Sequence, residues 1–165
     1  MFKKKRVRPA CFLFPILLAI LEVSPFLNGQ EDLLKVEASV VPRRLARGQE
    51  GEVVLKLIVG HGVLISPYPD FLVEFEPCPA LVFPKNFFTA TDLEIEVLDI
   101  EGEKSLDFKK PVRIPFTVSL EAKKGSYILE GRIKYFARSR KEGWCVKSTA
   151  KFFVPFATLA TRAKR

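Results

Sequence analysis

The sequence predicts an all-β fold, an antiparallel β-sandwich of seven to nine short strands. Three observations predict it. Apolar residues recur with a period of two in one segment after another. Gly, Pro and charged turn signals break these segments about every 8 to 12 residues. No long stretch carries the spacing of an amphipathic helix, and neither an internal repeat nor a low-complexity tract is present.

The first thirty residues stand apart from that pattern. Lys3, Lys4, Lys5, Arg6 and Arg8 form a basic start, Phe12 to Leu21 an apolar run, and Ser24 to Gln30 a small, turn-prone exit, the three parts of a secretory signal. The apolar run is about ten residues long, against the roughly 20 needed to cross a bilayer as a helix. Cleavage near Gln30, with an uncleaved N-terminal anchor as the alternative, and export to the periplasm or another extracytoplasmic space are therefore expected. Cys11 precedes the apolar run and is badly placed for lipidation.

Export changes the charge argument. The whole chain of 165 residues has a formal net charge of +8, but residues 1–30 hold 5 of its 27 Lys and Arg and 1 of its 19 Asp and Glu; the remainder carries 22 against 18, a net +4. That charge is mild and interspersed with acids. It lacks the basic stripe with stacking aromatics that nucleic-acid binding requires, so no nucleic-acid partner is expected. The remaining length suits one domain, residues 31–157, able to bury roughly two-thirds of its unfolded surface without a disulfide. Residues 158–165 read as a basic, frayed tail.

The strands follow in order. Leu34, Val36, Ala38 and Val40 alternate with Lys35, Glu37 and Ser39 within Glu31 to Val41, a half-buried strand. Pro42 to Gly51 reads as a polar connector. Val53, Leu55, Leu57 and Val59 then share one face of a second strand, ended by Gly60-His61-Gly62. Val63 to Ser66 is a short apolar run closed by Pro67 to Asp70, and Phe71, Val73 and Phe75 alternate with Glu74 and Glu76. Pro77-Cys78-Pro79 is a loop or an edge, because proline has no amide donor. Ala80 to Ala90 is rich in Phe and reads as mostly irregular, its rings covering one end of the core. Leu93, Ile95 and Val97 alternate with Glu94 and Glu96 ahead of a turn at Glu101 to Lys104. Val112 to Leu120 is the cleanest strand, and Lys123 to Ser126 is expected to turn it into an antiparallel hairpin with Tyr127 to Phe136. A charged loop, Ala137 to Gly143, then leads through Trp144-Cys145 to a last strand, Thr149 to Phe156.

Few residues offer chemistry. His61 is the single histidine, no ligand spacing accompanies it, and no Gly-rich phosphate loop or nucleophile elbow is present, so neither a metal nor a cofactor is expected. Glu74, Glu76, Glu94 and Glu96 alternate with apolar residues and read as solvated faces. The 15 Phe read as core and end-caps, or as an aromatic surface that receives a partner. Cys145 is the candidate thiol: Arg138, Arg140, Lys141 and Lys147 are near in sequence, and cations favour the reactive thiolate. Its bland alternative is a buried, inert thiol packed beside Trp144.

At this last hairpin the chain resembles the N-terminal periplasmic domain of the thiol:disulfide interchange protein DsbD and its relatives, an immunoglobulin-like sandwich. The run that carries the resemblance is Tyr135-Phe136-Ala137-Arg138-Ser139-Arg140-Lys141-Glu142-Gly143-Trp144-Cys145, continued by Lys151 to Pro155. A looser likeness lies at His61 to Pro67 and Phe71 to Val73. The family has Tyr-X-X-Cys, a short polar loop and a second Cys, often after Gly-Trp. The resemblance implies a hairpin disulfide that passes electrons from a membrane reductant to periplasmic thiol proteins, with Tyr135 and Trp144 beside the site. Here Arg138 stands at the first cysteine position, and only Cys145 is carried over.

A dithiol couple needs two sulfurs in reach. Three readings follow from the departure. The domain is an interaction module for an envelope partner, thioredoxin-like or a membrane thiol reductase; or Cys145 alone performs thiol-disulfide exchange; or Cys78 and Cys145 form a disulfide, worth about 4 kcal/mol in the chain-entropy model.

Overall fold

The computed structural model describes residues 33–69 and 71–159. The signal segment with Cys11, and residues 160–165 of the expected tail, lie outside the described residues. The alternation of the sequence becomes twelve strands: β1 (Leu34–Val41), β2 (Arg44–Leu45), β3 (Glu50–Val59), β4 (Leu64–Ile65), β5 (Leu72–Phe75), β6 (Leu81–Val82), β7 (Phe87–Thr89), β8 (Val97–Ile100), β9 (Glu103–Leu106), β10 (Val112–Val118), β11 (Gly125–Ser139) and β12 (Trp144–Thr158). The count exceeds the expected seven to nine because β2, β4 and β6 have only two residues each. Such pieces are too short to show a period and exist because a neighbouring strand offers them a partner.

One sheet has the order β1-β3-β10-β6 and the other β2-β12-β11-β5-β7, with β4 also pairing β11. All of these pairings are antiparallel except β2 on β12. The first sheet has the arrangement of the A, B, E and D strands of an immunoglobulin fold. The strands β5, β11 and β12 hold the places of C, F and G. β7 adds a strand outside β5, although it follows β6 in the chain. The chain is thus an immunoglobulin-like β-sandwich. The β8–β9 hairpin is a separate two-stranded piece.

The core lies between the two sheets. Val53, Leu55 and Ile114 from the first face Val73, Leu129, Ile133 and Val154 from the second, all with at most 1% of their surface exposed. Burying side chains of this size stabilises the fold by roughly 1.5–3 kcal/mol each. Each sheet also places a phenyl ring over a cross-strand glycine. Gly51 pairs Phe116 and Gly131 pairs Phe152, and a Cβ at Gly131 would stand 2.3 Å from the Phe152 ring. The absent side chain makes room for the ring to lie flat on the strand. At one end Phe75 stacks on Phe83 with centroids 4.3 Å apart, and Phe88 and Phe152 meet Phe75 edge-on.

Several expectations change. The Pro42 to Gly51 connector contains β2 and the start of β3, and the Phe-rich segment contains β6 and β7. Glu94 adopts a positive φ of 51° within a turn, so the strand begins only at Val97. The turn of the next hairpin is confined to Glu101-Gly102, since Glu103 already belongs to β9. The predicted hairpin between Val112–Leu120 and Tyr127–Phe136 does not form: Ser119 to Lys124 carries the chain from one sheet to the other, because β10 pairs β3 and β6 while β11, which already includes Gly125 and Ser126 of the expected turn, pairs β12, β5 and β4. Thr158, assigned to the tail, is the buried end of β12, and its hydroxyl donates to the Lys123 carbonyl.

Candidate functional site

The longest pairing in the molecule is the β11–β12 hairpin, 15 residues in each strand, or roughly 50 Å of strand. The expected loop from Ala137 to Gly143 shrinks to Arg140 to Gly143. Ala137 and Ser139 continue the inward alternation of β11 and are buried. The remaining four residues close on a Gly143 N–H donated to the Ser139 carbonyl at 2.9 Å, with Gly143 at φ 70°, a conformation that glycine adopts without steric cost.

This shorter turn sets the register of the site. Arg138 is the direct cross-strand partner of Cys145. The main chain of even-numbered β11 residues points away from β12: the Phe136 carbonyl accepts from Ser66 N–H and the Glu130 carbonyl from Glu76 N–H, both at 2.9 Å. Arg138 and Cys145 therefore form a non-hydrogen-bonded pair, the closer kind, with Cα atoms about 4.5 Å apart. That is within the span of a disulfide.

Side chains sort strictly by parity on the two strands. Tyr135 is buried and Trp144 half-buried, both on the inner face. Cys145 is exposed on the outer face, beside Arg138 and Lys147. The expected surroundings of the thiol, Tyr135 and Trp144, are thus on the other side of the sheet, and a thiol buried beside Trp144 is excluded. Consecutive strand residues face opposite ways. The Trp144 indole N–H donates to the Glu142 carboxylate, and the Lys147 ammonium lies 6.0 Å from the Phe136 ring centroid.

The cations of the hairpin tip have partners that the local sequence does not reveal. Arg138 Nε stands 3.3 Å from Glu103 Oε2, at ion-pair distance but without hydrogen-bond geometry, and its terminal NH2 donates to the Lys104 carbonyl. Arg140 reaches Glu101 at 2.6 Å and Glu103 at 3.4 Å. The β8–β9 hairpin thereby neutralises the tip, and the concentration of positive charge read from Arg138 to Lys141 is largely compensated. The one sequence signal for this is a matched spacing, Glu101-Gly102-Glu103 against Arg138-Ser139-Arg140.

Cys78 is a second free thiol, half-buried between Pro77 and Pro79. It lines a groove of about 520 Å³ with Tyr127, Ile128, Arg132 and Phe153. Glu76 sits opposite Glu130 on β11, whereas Cys145 sits opposite Arg138. The two cysteines are consequently on the order of 25 Å or more apart along the strands. The Cys78–Cys145 disulfide is not formed: the structure separates the two thiols by most of the hairpin's length.

The other candidates lie away from the thiol, and Glu94 and Glu96, expected on a strand, precede β8. His61 is exposed in a turn, and among the described residues no group of three metal-ligating side chains gathers. Glu74 lies mid-sheet, held by Lys134 at 2.8 Å and Arg132 at 2.6 Å. Hydrogen bonds from Lys134, then from Arg132, hold its carboxyl below the usual range. That makes it a fixed anion, not a proton donor at neutral pH.

No protein-family model matches the chain, and neither does any curated protein. Among solved structures it is similar to BcpA, the major pilin subunit of Bacillus cereus, at 12% identity over 74% of this chain and 40% of that one, with a TM-score of 0.38. It is also similar to a cohesin module from a Clostridium perfringens family 33 glycoside hydrolase, at 8% identity over 76% and 96% of the two chains, TM-score 0.37. Murine CRIg matches at 7% identity over 76% and 98%, TM-score 0.31. The chain spans well under half the length of the pilin that it matches.

Proposed function

We propose that this chain is an exported domain of the bacterial cell envelope, similar to the N-terminal domain of DsbD, that has lost the two-cysteine redox couple and acts as a protein-interaction module. Its partner is an envelope protein, thioredoxin-like or a membrane thiol reductase. The observation that carries the reading is the pairing of Arg138 with Cys145. The place from which a second sulfur would reach Cys145 holds a guanidinium tied to Glu103 and Lys104. The only other described thiol is at the far end of the hairpin.

The exposure of Cys145 favours a second reading, exchange through a single thiol. In that reaction the Cys145 thiolate attacks a partner's disulfide, one partner sulfur leaves as thiolate, and a mixed disulfide remains. Its release needs another thiol, which the partner or a small thiol must supply.

One experiment separates the two. The protein without residues 1–30 is equilibrated across a glutathione redox series and alkylated, and its binding to a thioredoxin-like envelope domain is measured with Cys145 intact and as Cys145→Ser. The interaction reading expects no intramolecular disulfide at any poise and unchanged binding by Cys145→Ser. An adduct that accounts for all of the binding and vanishes in Cys145→Ser supports exchange and overturns the interaction reading.

A further inference from the structure

β12 is an edge strand along most of its length. Its even-numbered residues face the main chain of β11, since the pairs Ser139–Trp144, Ala137–Val146 and Tyr135–Ser148 are those whose N–H and C=O groups point at each other. The odd-numbered residues therefore direct their main chain to the opposite side. Ala157 and Leu159 confirm the parity by donating to the Arg43 and Leu45 carbonyls of the β2 region at 3.0 and 2.8 Å. Among the described residues β2 pairs only Ala157 and Thr158. From Cys145 through Lys147, Thr149 and Lys151 the edge has no pairing strand, and these four residues are all exposed. Pro155, further along the same edge, has no N–H to leave unpaired.

We propose that the Cys145 to Lys151 edge takes an extended segment of a partner protein as an added strand, with carboxylates opposite Lys147 and Lys151. This rests on the interaction-module reading and names its surface. An edge of this kind supplies main-chain hydrogen bonds to any extended chain, and side chains choose which chain. Here the choice is electrostatic. Among the described residues neither Lys147 nor Lys151 has a carboxylate within ion-pair distance, whereas Arg132, Lys134, Arg138 and Arg140 on the same hairpin all do.

The same lysines disfavour a second copy as occupant. A two-fold antiparallel pairing of β12 with itself gathers two lysines from each copy on one face. When centred on Thr149, it sets Lys147 directly against Lys151 of the other copy. Like charges across a strand pair are destabilising, and lysine on an edge is a common guard against self-association. The pattern rejects its own kind and leaves the main chain open to an acidic strand.

Hydrogen exchange read residue by residue tests this on the intact protein, with the synthetic peptide Val-Glu-Val-Thr-Val-Glu-Val as probe and a version with Lys in place of both Glu as control. In the free protein the amides of Lys147, Thr149 and Lys151 exchange at unstructured rates while those of Val146, Ser148, Ala150 and Phe152 are protected. The acidic peptide protects the first set, and the basic peptide binds on the order of tenfold more weakly. Changing Lys147→Glu and Lys151→Glu together reverses the preference. Odd-numbered amides already protected in the free protein, no protection by either peptide, or equal binding of both overturns the proposal. Because this readout involves no thiol, its failure leaves the redox experiment intact, and failure of the redox reading leaves the edge intact.

Discussion

Arg138→Cys should turn the hairpin tip into an oxidisable pair. The substitution places a second thiol directly across from Cys145, at a non-hydrogen-bonded position of an antiparallel ladder, where the Cα separation of about 4.5 Å lies within the disulfide range. Closing the loop from residue 138 to 145 should stabilise the folded state by about 2.5 kcal/mol in the chain-entropy model. Loss of the partly exposed Arg138–Glu103 contact offsets about 1 kcal/mol of that, and Arg140 remains to hold Glu103. Both redox forms of the variant lack the guanidinium, so the full loop-closure gain separates them, and the oxidised form should melt on the order of 10 °C above the reduced form. Oxidation of the protein lacking residues 1–30, followed by alkylation and intact mass, reads the bond as a loss of two hydrogens, with one alkylated thiol, Cys78, remaining of the three present. Arg138→Ser reports the cost of losing the guanidinium alone. If the folded variant keeps three free thiols under oxidising glutathione, the register of the tip is wrong, and with it the alignment of Arg138 to the family's first cysteine.

Two further outcomes test the fold beneath the site. Gly131→Ala should destabilise the domain by about 1–3 kcal/mol, because its Cβ would meet three carbons of the Phe152 ring at 2.3 to 2.9 Å; chemical denaturation measures it, and a double-mutant cycle with Phe152→Leu should recover part of the loss. Purely additive losses would show that the ring does not lie over the glycine. The Asp92 carboxyl is lowered from 3.8 to about 2, first by the Lys85 ammonium and then by the Thr89 amide and hydroxyl. Its contribution to stability is fully present above the unfolded pKa and is lost as pH falls toward about 2, so the stability gap between the protein and Asp92→Asn should narrow across that window. A gap that stays constant from pH 5 to 2 contradicts the assignment.

What the sequence made legible was local. In β10 every second residue from Val112 to Val118 is buried, as the alternation of apolar and polar residues demands, and β3 follows the same rule. A period of two is a property of one strand and needs no knowledge of its partner. Sheet membership is not such a property. Lys123 to Ser126 carries a sound signal that the chain reverses, but a reversal across the sandwich and one within a sheet use the same turn residues, and only the pairing partners of β10 and β11 distinguish them. The two-residue strands were invisible for the same reason: Leu45 is fully buried and bound into β2 by Thr158, more than a hundred residues away.

The tip of the hairpin shows the same limit acting on chemistry. Four cations near Cys145 in sequence suggested an electropositive thiol site, and the family resemblance placed Tyr135 and Trp144 beside it. The second took distance along the chain for distance in space, and the first, though Arg138 and Lys147 do stand beside the thiol, left out the acids of the β8–β9 hairpin. Parity on the strand sends Tyr135 and Trp144 inward and Cys145 outward, and the two arginines meet Glu101 and Glu103, which lie more than thirty residues upstream. What survives the correction is the register itself. A disulfide at this position would bind the hairpin to itself, strand to strand; Arg138 instead binds it sideways to β9 through Glu103 and the Lys104 carbonyl. Arg138 therefore does more than occupy the place across from Cys145. It anchors the β8–β9 hairpin against the tip with a contact that no change in redox potential releases.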